Sequence, residues 1–248
     1  FEGRFRELSK NGTTIEKSLL ISLLKLTKEG PVQRDLVSRD ARIPTQVLNR
    51  VLKKLSGAGM FKLKGDVIEA SSDQRFGMAI HALKFGADFE RVCRDLGWIE
   101  FENMGAAAFE AYGFEVKRRF RFKGAGRKWE IDLIGCRKPL MVCVDCKHWL
   151  HGWNTSAMRK TVEAQLMRTR ALAENIFLLG EKMGLVQWRS VTIIPAVLAL
   201  IPGPFKFCYQ VPIVPVLQLQ DFLNELPAHV TSLTHFTVCT GNDDGSLL

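Results

Sequence analysis

Apolar residues in this chain recur first at helical spacing, then at every second position, then in longer mixed runs, and each change of period marks a new element. Ile15, Leu19, Leu23 and Leu26 lie three or four residues apart behind an N-cap at Thr13 or Thr14, which predicts a first helix. Gly30-Pro31 stops it and opens a second, Val32 to Ser38. Arg42-Ile43-Pro44 leads to a third, with Val47, Leu48, Val51, Leu52 and Leu55 on its apolar side and Gly57 and Gly59 at its end. Phe61 to Lys64, a Gly65-Asp66 turn and Val67 to Glu69 then read as a small hairpin.

Three short helices followed by a hairpin form the pattern of a winged helix-turn-helix, expected over residues 1–70. The polar side of the third helix carries Thr45, Gln46, Asn49, Arg50, Lys53 and Lys54, residue types that reach phosphates and base edges in a major groove. The same face also fits a solvated helix surface or a protein contact. Residues 71–97 read as a helical bridge, with Phe76, Ala79, Ile80 and Leu83, then Phe89, Val92 and Leu96, as its buried stripe and a break near Gly86.

Residues 98–248 alternate helix and strand as an α/β domain does. The expected order is helix 101–112, strands 114–122, 129–134 and 140–146, helix 156–183 and strand 190–200. An extended stretch at 205–216, a short helix at 217–226, a strand at 233–238 and a frayed tail at 242–248 complete it. Turn chemistry between the second and third of these strands is assigned to Gly135 to Pro139. The chain contains no internal repeat or low-complexity tract.

Composition narrows the partners more than the fold. Lys and Arg number 35 against 26 Asp and Glu, giving a formal charge of +9 and a pI near 9.4. That balance favours an anionic partner, nucleic acid first and an acidic membrane surface second. Six scattered cysteines point to a reducing cytoplasm rather than a disulfide framework. The most apolar stretch, Val191 to Ile201, contains Pro195 and falls short of the roughly 20 residues a membrane helix needs. The first residue is Phe1, not methionine, which leaves room for upstream sequence.

The chemistry concentrates in two of the predicted strands. Asp132 ends Glu130-Ile131-Asp132, and thirteen positions later comes Asp145-Cys146-Lys147. Asp145 and Lys147 project from one face, and a hairpin partner brings Asp132 alongside. Two carboxylates and an ammonium at one point are costly to bury without partners or a metal. A strand-end ion pair with Asp132 incidental is the plainer alternative. Cys143 and Cys146 form a C-x-x-C step, but a strand aims residues three apart at opposite faces and no second cysteine pair completes a zinc site. His148, Trp149, His151 and Trp153 follow in a loop, as packing or as part of a DNA path. Just upstream, Phe114 to Lys128 alternates Phe with basic residues, so Arg119, Arg121, Lys123 and Arg127 form a solvent face and tip fit for phosphates, or for keeping an edge strand from aggregating.

Helix, three-strand meander, helix and strand, with the acidic residues on the second and third strands, resembles the core of the PD-(D/E)XK nuclease superfamily, in particular Mrr-type restriction endonucleases and archaeal Holliday-junction resolvases. The resemblance covers Trp98 to Leu200 and implies a restriction-endonuclease-like core, a mixed sheet flanked by helices. Asp132 matches the family's metal-binding aspartate, and Asp145 and Lys147 match its (D/E)-x-K signature. Glu102 matches the glutamate on the first helix, with Glu100 and Glu110 as competitors, and Gln165 resembles an auxiliary glutamine. By that resemblance Asp132, Asp145, Glu102 and the Cys146 carbonyl hold Mg²⁺, or Mn²⁺, while Lys147 orients water or offsets charge. The implied activity is a metal-dependent DNA endonuclease, with a homodimer where both strands are cut. A silent nuclease fold serving as a DNA-binding regulator or scaffold is the alternative, and a junction resolvase a second. The N-terminal extension departs from the compact resolvase pattern.

Overall fold

The computed structural model describes residues 13–149, 154–185 and 188–239, with Thr13 and Glu90 described in their backbone only. The chain divides into two units that meet between Phe101 and Glu102. The first holds α1 (Thr13–Leu26), β1 (Val32–Gln33), α2 (Arg34–Ala41), α3 (Thr45–Gly57), β2 (Lys62–Lys64), β3 (Val67–Glu69), α4 (Ser72–Lys84) and α5 (Phe89–Asp95). Its sheet runs β1-β3-β2 and is antiparallel throughout.

Three expectations are corrected here. Val32 and Gln33 are not helical but pair with Ile68 and Val67, so α2 starts at Arg34. Two residues carry no period, and pairing with a distant strand decided their conformation. In α1 the buried positions are Glu16 and every residue from Leu19 to Leu24, whereas Ile15 is exposed. Glu16 enters this interior because Lys54 Nζ reaches its Oε1 at 2.7 Å. In α4 the buried residues are Arg75, Met78, Ala79, His81 and Ala82, so the buried face is turned from the predicted stripe of Phe76, Ala79, Ile80 and Leu83, of which Ala79 is buried and the others half-buried.

Arg75 explains that rotation. Just after the capping box of Ser71 and Gln74 that opens the helix, its guanidinium donates to Glu100 Oε1 at 2.8 Å, to Leu24 O at 2.6 Å and to the Thr27 hydroxyl at 2.7 Å. It also donates to Asp95 O at 2.5 Å. Four acceptors satisfy a cation that would otherwise be too costly to bury.

In the second unit α6 (Trp98–Ala111), which begins before the boundary, is followed by β4 (Glu115–Gly124), β5 (Arg127–Arg137), β6 (Leu140–Lys147), α7 (Thr155–Glu174) and α8 (Ile176–Leu179). Then come β7 (Ser190–Ala199), β8 (Phe207–Cys208), β9 (Val211–Pro215), α9 (Leu219–His229) and β10 (Phe236–Cys239). The sheet is mixed, in the order β4-β5-β6-β7-β9-β8, with β10 paired to the first half of β7. β4, β5 and β6 are antiparallel, and β6, β7 and β9 are parallel. Helices flank it, so the unit is α/β.

Gly135 lies within β5, not in a turn, and the strand runs on to Arg137. A side chain at Gly135 would come within 2.5 Å of the Phe109 ring, and one at Gly105 within 2.7 Å of Leu198. Both glycines let α6 lie close on the sheet. The opposite side packs Phe120, Phe122, Ile131, Ile134 and Cys143 against Ala171, Leu172 and Ile176. The long predicted helix 156–183 ends at Glu174, where Asn175 caps it, and resumes as α8. The predicted tail 242–248 lies outside the described residues.

Candidate active site

β6 is the central strand of the constellation, with β5 on one side and β7 on the other, and its residues from Leu140 to Cys146 are all buried. A carboxylate on such a strand must be compensated. Asp145, 3% exposed, has Arg168 Nη1 at 2.6 Å from Oδ1 and Lys147 Nζ at 2.8 Å from Oδ2. The lysine contact lacks hydrogen-bond direction, so Oδ2 is a buried carboxylate oxygen without a hydrogen bond. Among the described residues its charge is met by the Lys147 ammonium alone, which a stronger cation could displace.

Asp132 faces Asp145 by register. The β5–β6 ladder ends at Leu133 opposite Val144, and one further step sets the two aspartates side by side. There the backbones part, and Asp132 Oδ2 accepts the Cys146 N–H at 2.7 Å in place of a ladder bond. The Asp132 carboxyl is raised from its ordinary range to about 6, chiefly by burial, with the charges of Asp145 and Glu102 adding. The Cys146 N–H and Lys147 pull the other way.

The same rung is irregular on the other side of β5. Arg119 and Asp132 stand opposite each other but do not pair, while Arg118 pairs with Leu133 and Phe120 with Ile131. Arg119 has φ 49°, a left-handed conformation that costs a non-glycine residue about 1–2 kcal/mol. Ile131 and Ile134 share the face toward α7, three residues apart, so the alternation of β5 slips at Asp132. The slip turns Arg119 toward α6, where its Nε donates to Glu102 Oε2 at 3.0 Å.

Of the three helical glutamates considered, Glu102 is the one whose charge acts on Asp132 and on Cys146. Glu100 is held by Arg75, and Glu110 pairs with Arg118. The Cys146 thiol lies well above its ordinary range, first through burial and then through the charges of Asp132, Glu102 and Asp145. The charges of three carboxylates are therefore felt at this backbone step, and of the three Asp132 is bonded to it directly. Cys143 is likewise buried with its thiol pushed up, and both cysteines are free.

Gln165, fully buried on α7, donates through Nε2 to Cys143 O at 2.7 Å, which ties the helix to β6 two residues before Asp145. Arg168, one turn on, is the residue sequence reasoning missed. Its spacing of three from Gln165 was the available signal. Trp149 packs beside Met158, Val162 and Val197, while His151 and Trp153 lie outside the described residues.

The candidate nucleic-acid contacts separate into two groups. On α3, Thr45, Gln46, Arg50 and Lys53 are exposed. Asn49 accepts from Arg34 Nη1 at 2.9 Å and Lys54 is tied to Glu16, so both have partners inside the first unit. On the β4–β5 hairpin, Arg121 pairs with Glu130 at 2.7 Å, Lys123 is exposed, and Arg127 lies over the Trp129 ring at 4.1 Å. Arg121, Lys123, Lys128 and Lys182 border a shallow cleft of about 690 Å³ floored by Phe122 and Trp129.

Carboxylate oxygens and a carbonyl are the hard donors Mg²⁺ takes, and the two buried aspartates, with Asp145 Oδ2 outside any hydrogen bond and the Asp132 carboxyl raised by burial, fit a cation that would compete with Lys147. Among the described residues no three Asp, Glu, His or Cys side chains lie close enough together to hold a metal ion, so the carboxylate pair Asp132 and Asp145 would need the Cys146 carbonyl and water to complete a shell. Arg168 and Arg119 stand against two of the three carboxylates instead.

No family model matches this chain. An uncharacterized protein of Archaeoglobus fulgidus is 29% identical to it over 130 residues, which are 52% of this chain and 91% of that protein. Among solved structures, protein VC1899 from Vibrio cholerae aligns with a TM-score of 0.33 at 10% identity, over 91% of this chain and 58% of that one. The restriction endonuclease FokI aligns with a TM-score of 0.31 at 14% identity, over 89% of this chain and 44% of that one. This chain spans about half the length of those two structures, and at such scores neither bears on its fold or chemistry. No described helix is long and apolar enough to cross a membrane.

Proposed function

We propose that the chain is a metal-dependent DNA endonuclease whose catalytic unit is a restriction-endonuclease-like domain and whose first unit is a winged helix that positions DNA. The observation that carries the reading is the pair Asp132 and Asp145 on adjacent strands at the end of their ladder, with Asp132 Oδ2 on the Cys146 N–H at 2.7 Å and Lys147 Nζ 2.8 Å from Asp145 Oδ2. Asp132, Asp145 and the Cys146 carbonyl would hold Mg²⁺, or Mn²⁺, with Glu102 in its water shell. When bound, the ion supplies charge stabilisation at the scissile phosphate and lowers the pKa of a water.

This chain's own residues do the rest. Lys147, a quarter exposed at the strand end, offsets negative charge developing on the phosphate. Gln165 fixes the backbone of β6, and the Cys146 N–H keeps Asp132 oriented. On the first unit, Thr45, Gln46, Arg50 and Lys53 would face the duplex, while the basic hairpin holds phosphates near the site.

A second reading has its own support. Arg168 and Arg119 already neutralise Asp145 and Glu102, as expected of a DNA-binding scaffold that does not cut. Incubating the protein with supercoiled plasmid, linear duplex, single strands and a four-way junction, in Mg²⁺, Mn²⁺ or EDTA, separates the two. Metal-dependent cutting supports the endonuclease; tight duplex binding with no cutting in either metal supports the scaffold.

A further inference from the structure

Arg168 belongs to no part of the proposed mechanism, yet it makes the shortest contact to the buried aspartate, 2.6 Å to Asp145 Oδ1. Its position on α7, one turn after Gln165, puts the guanidinium where the end of β6 opens, with 29% of the side chain exposed. Among the described residues its partners, Asp145 Oδ1 and Gln165 Oε1 at 3.5 Å, engage Nη1 alone. A guanidinium presents a fork of five N–H donors, and a single engaged nitrogen leaves most of that fork available.

Charge balance shows what the arginine is matched to. Asp132, Asp145 and Glu102 supply three negative groups, and Lys147, Arg168 and Arg119 supply three positive ones. A divalent cation taking the carboxylates would leave the arginines in excess. A phosphodiester is the anion such a fork fits, through paired N–H···O bonds.

We propose that Arg168 is a phosphate-contacting residue of this site, exchanging the Asp145 carboxylate for a phosphate oxygen of bound duplex when a divalent cation takes the carboxylates. The assignment rests on the nuclease reading above and adds to it a residue and a role. It makes Arg168 a competitor of the cation on the free protein and a partner of the substrate in the complex.

The test uses the full chain with Arg168→Gln and Arg168→Lys, each checked for folding by thermal melting. Mn²⁺ affinity without DNA should rise about fivefold in Arg168→Gln, because a competing positive charge is gone. Duplex binding in Ca²⁺, read as the slope of log affinity against log salt, should lose about 0.9 in Arg168→Gln and keep its value in Arg168→Lys. Cleavage in Mg²⁺ should fall about a hundredfold in Arg168→Gln. An unchanged salt slope, or Mn²⁺ affinity that drops with the melting temperature, overturns the proposal and leaves Arg168 as a strut for Asp145. If the slope shifts as expected while no form of the protein cuts DNA, the phosphate contact stands and the endonuclease reading fails.

Discussion

At the scale of residues, Asp132 is where stability and function oppose each other. Its carboxyl is raised to about 6 from an unfolded value near 3.8, so between those values the folded chain binds more protons than the unfolded one. This contribution to stability is complete below about pH 4 and is lost as the pH rises through 6. Asp132→Asn should therefore stabilise the protein at pH 7.5, by at most about 3 kcal/mol and less for the solvent the carboxyl retains, and the gain should vanish at pH 4. Urea denaturation at the two pH values measures it. The same ionisation predicts that the Mn²⁺ affinity of the DNA-free protein rises with pH up to about 6 and levels off above it, read from metal titrations across that range. The convergence of Asp132, Asp145 and Lys147 was legible in the sequence because strand periodicity and spacing place them, whereas Gln165, on a helix, was suggested by the family resemblance alone. Arg168 and the Glu102–Arg119 pair were not, since each depends on which helix covers which rung.

Among the elements, periodic stretches were readable and contact-determined ones were not. α1, α3 and the three strands β4 to β6 have spacing long enough to declare itself. Val32-Gln33 is a strand only because Ile68 and Val67 lie beside it, and Gly135 looks like a turn residue until Phe109 occupies the space where its side chain would be. Gly135→Ala should cost about 1–3 kcal/mol in chemical denaturation, and Phe109→Leu in the same chain should recover part of that loss. A Gly135→Ala protein as stable as the parent would contradict the close packing of α6 on β5. Buried charge misleads in a similar way: the stripe on α4 is rotated because Arg75 is inside. Arg75→Met should destabilise by about 3–5 kcal/mol, since it strips the partner from buried Glu100, and the double variant with Glu100→Leu should regain much of it.

For the molecule as a whole, the excess of nine positive charges becomes specific only where it is unpaired. Arg118, Arg119, Arg121 and Lys54 are each matched to a carboxylate, whereas Arg50, Lys53 and Lys123 lie exposed. Replacing Arg50 and Lys53 with Ala should weaken duplex binding uniformly across sequences and reduce the salt slope by about two. An unchanged slope would remove α3 from the DNA interface. Net charge pointed to an anionic partner from the sequence, but which cations are committed internally emerged only from the folded chain.

The central claim is that Asp145 and Lys147 cut DNA together with a divalent cation. The most direct measurement is the initial rate of supercoiled plasmid relaxation in Mg²⁺ by the parent chain, Asp145→Asn and Lys147→Ala, each with an EDTA control and a parallel duplex-binding titration. The account predicts cutting by the parent that EDTA abolishes, and a loss of about a hundredfold or more in each variant with duplex binding retained. Equal rates in all three proteins, or cutting that persists in EDTA, would contradict it.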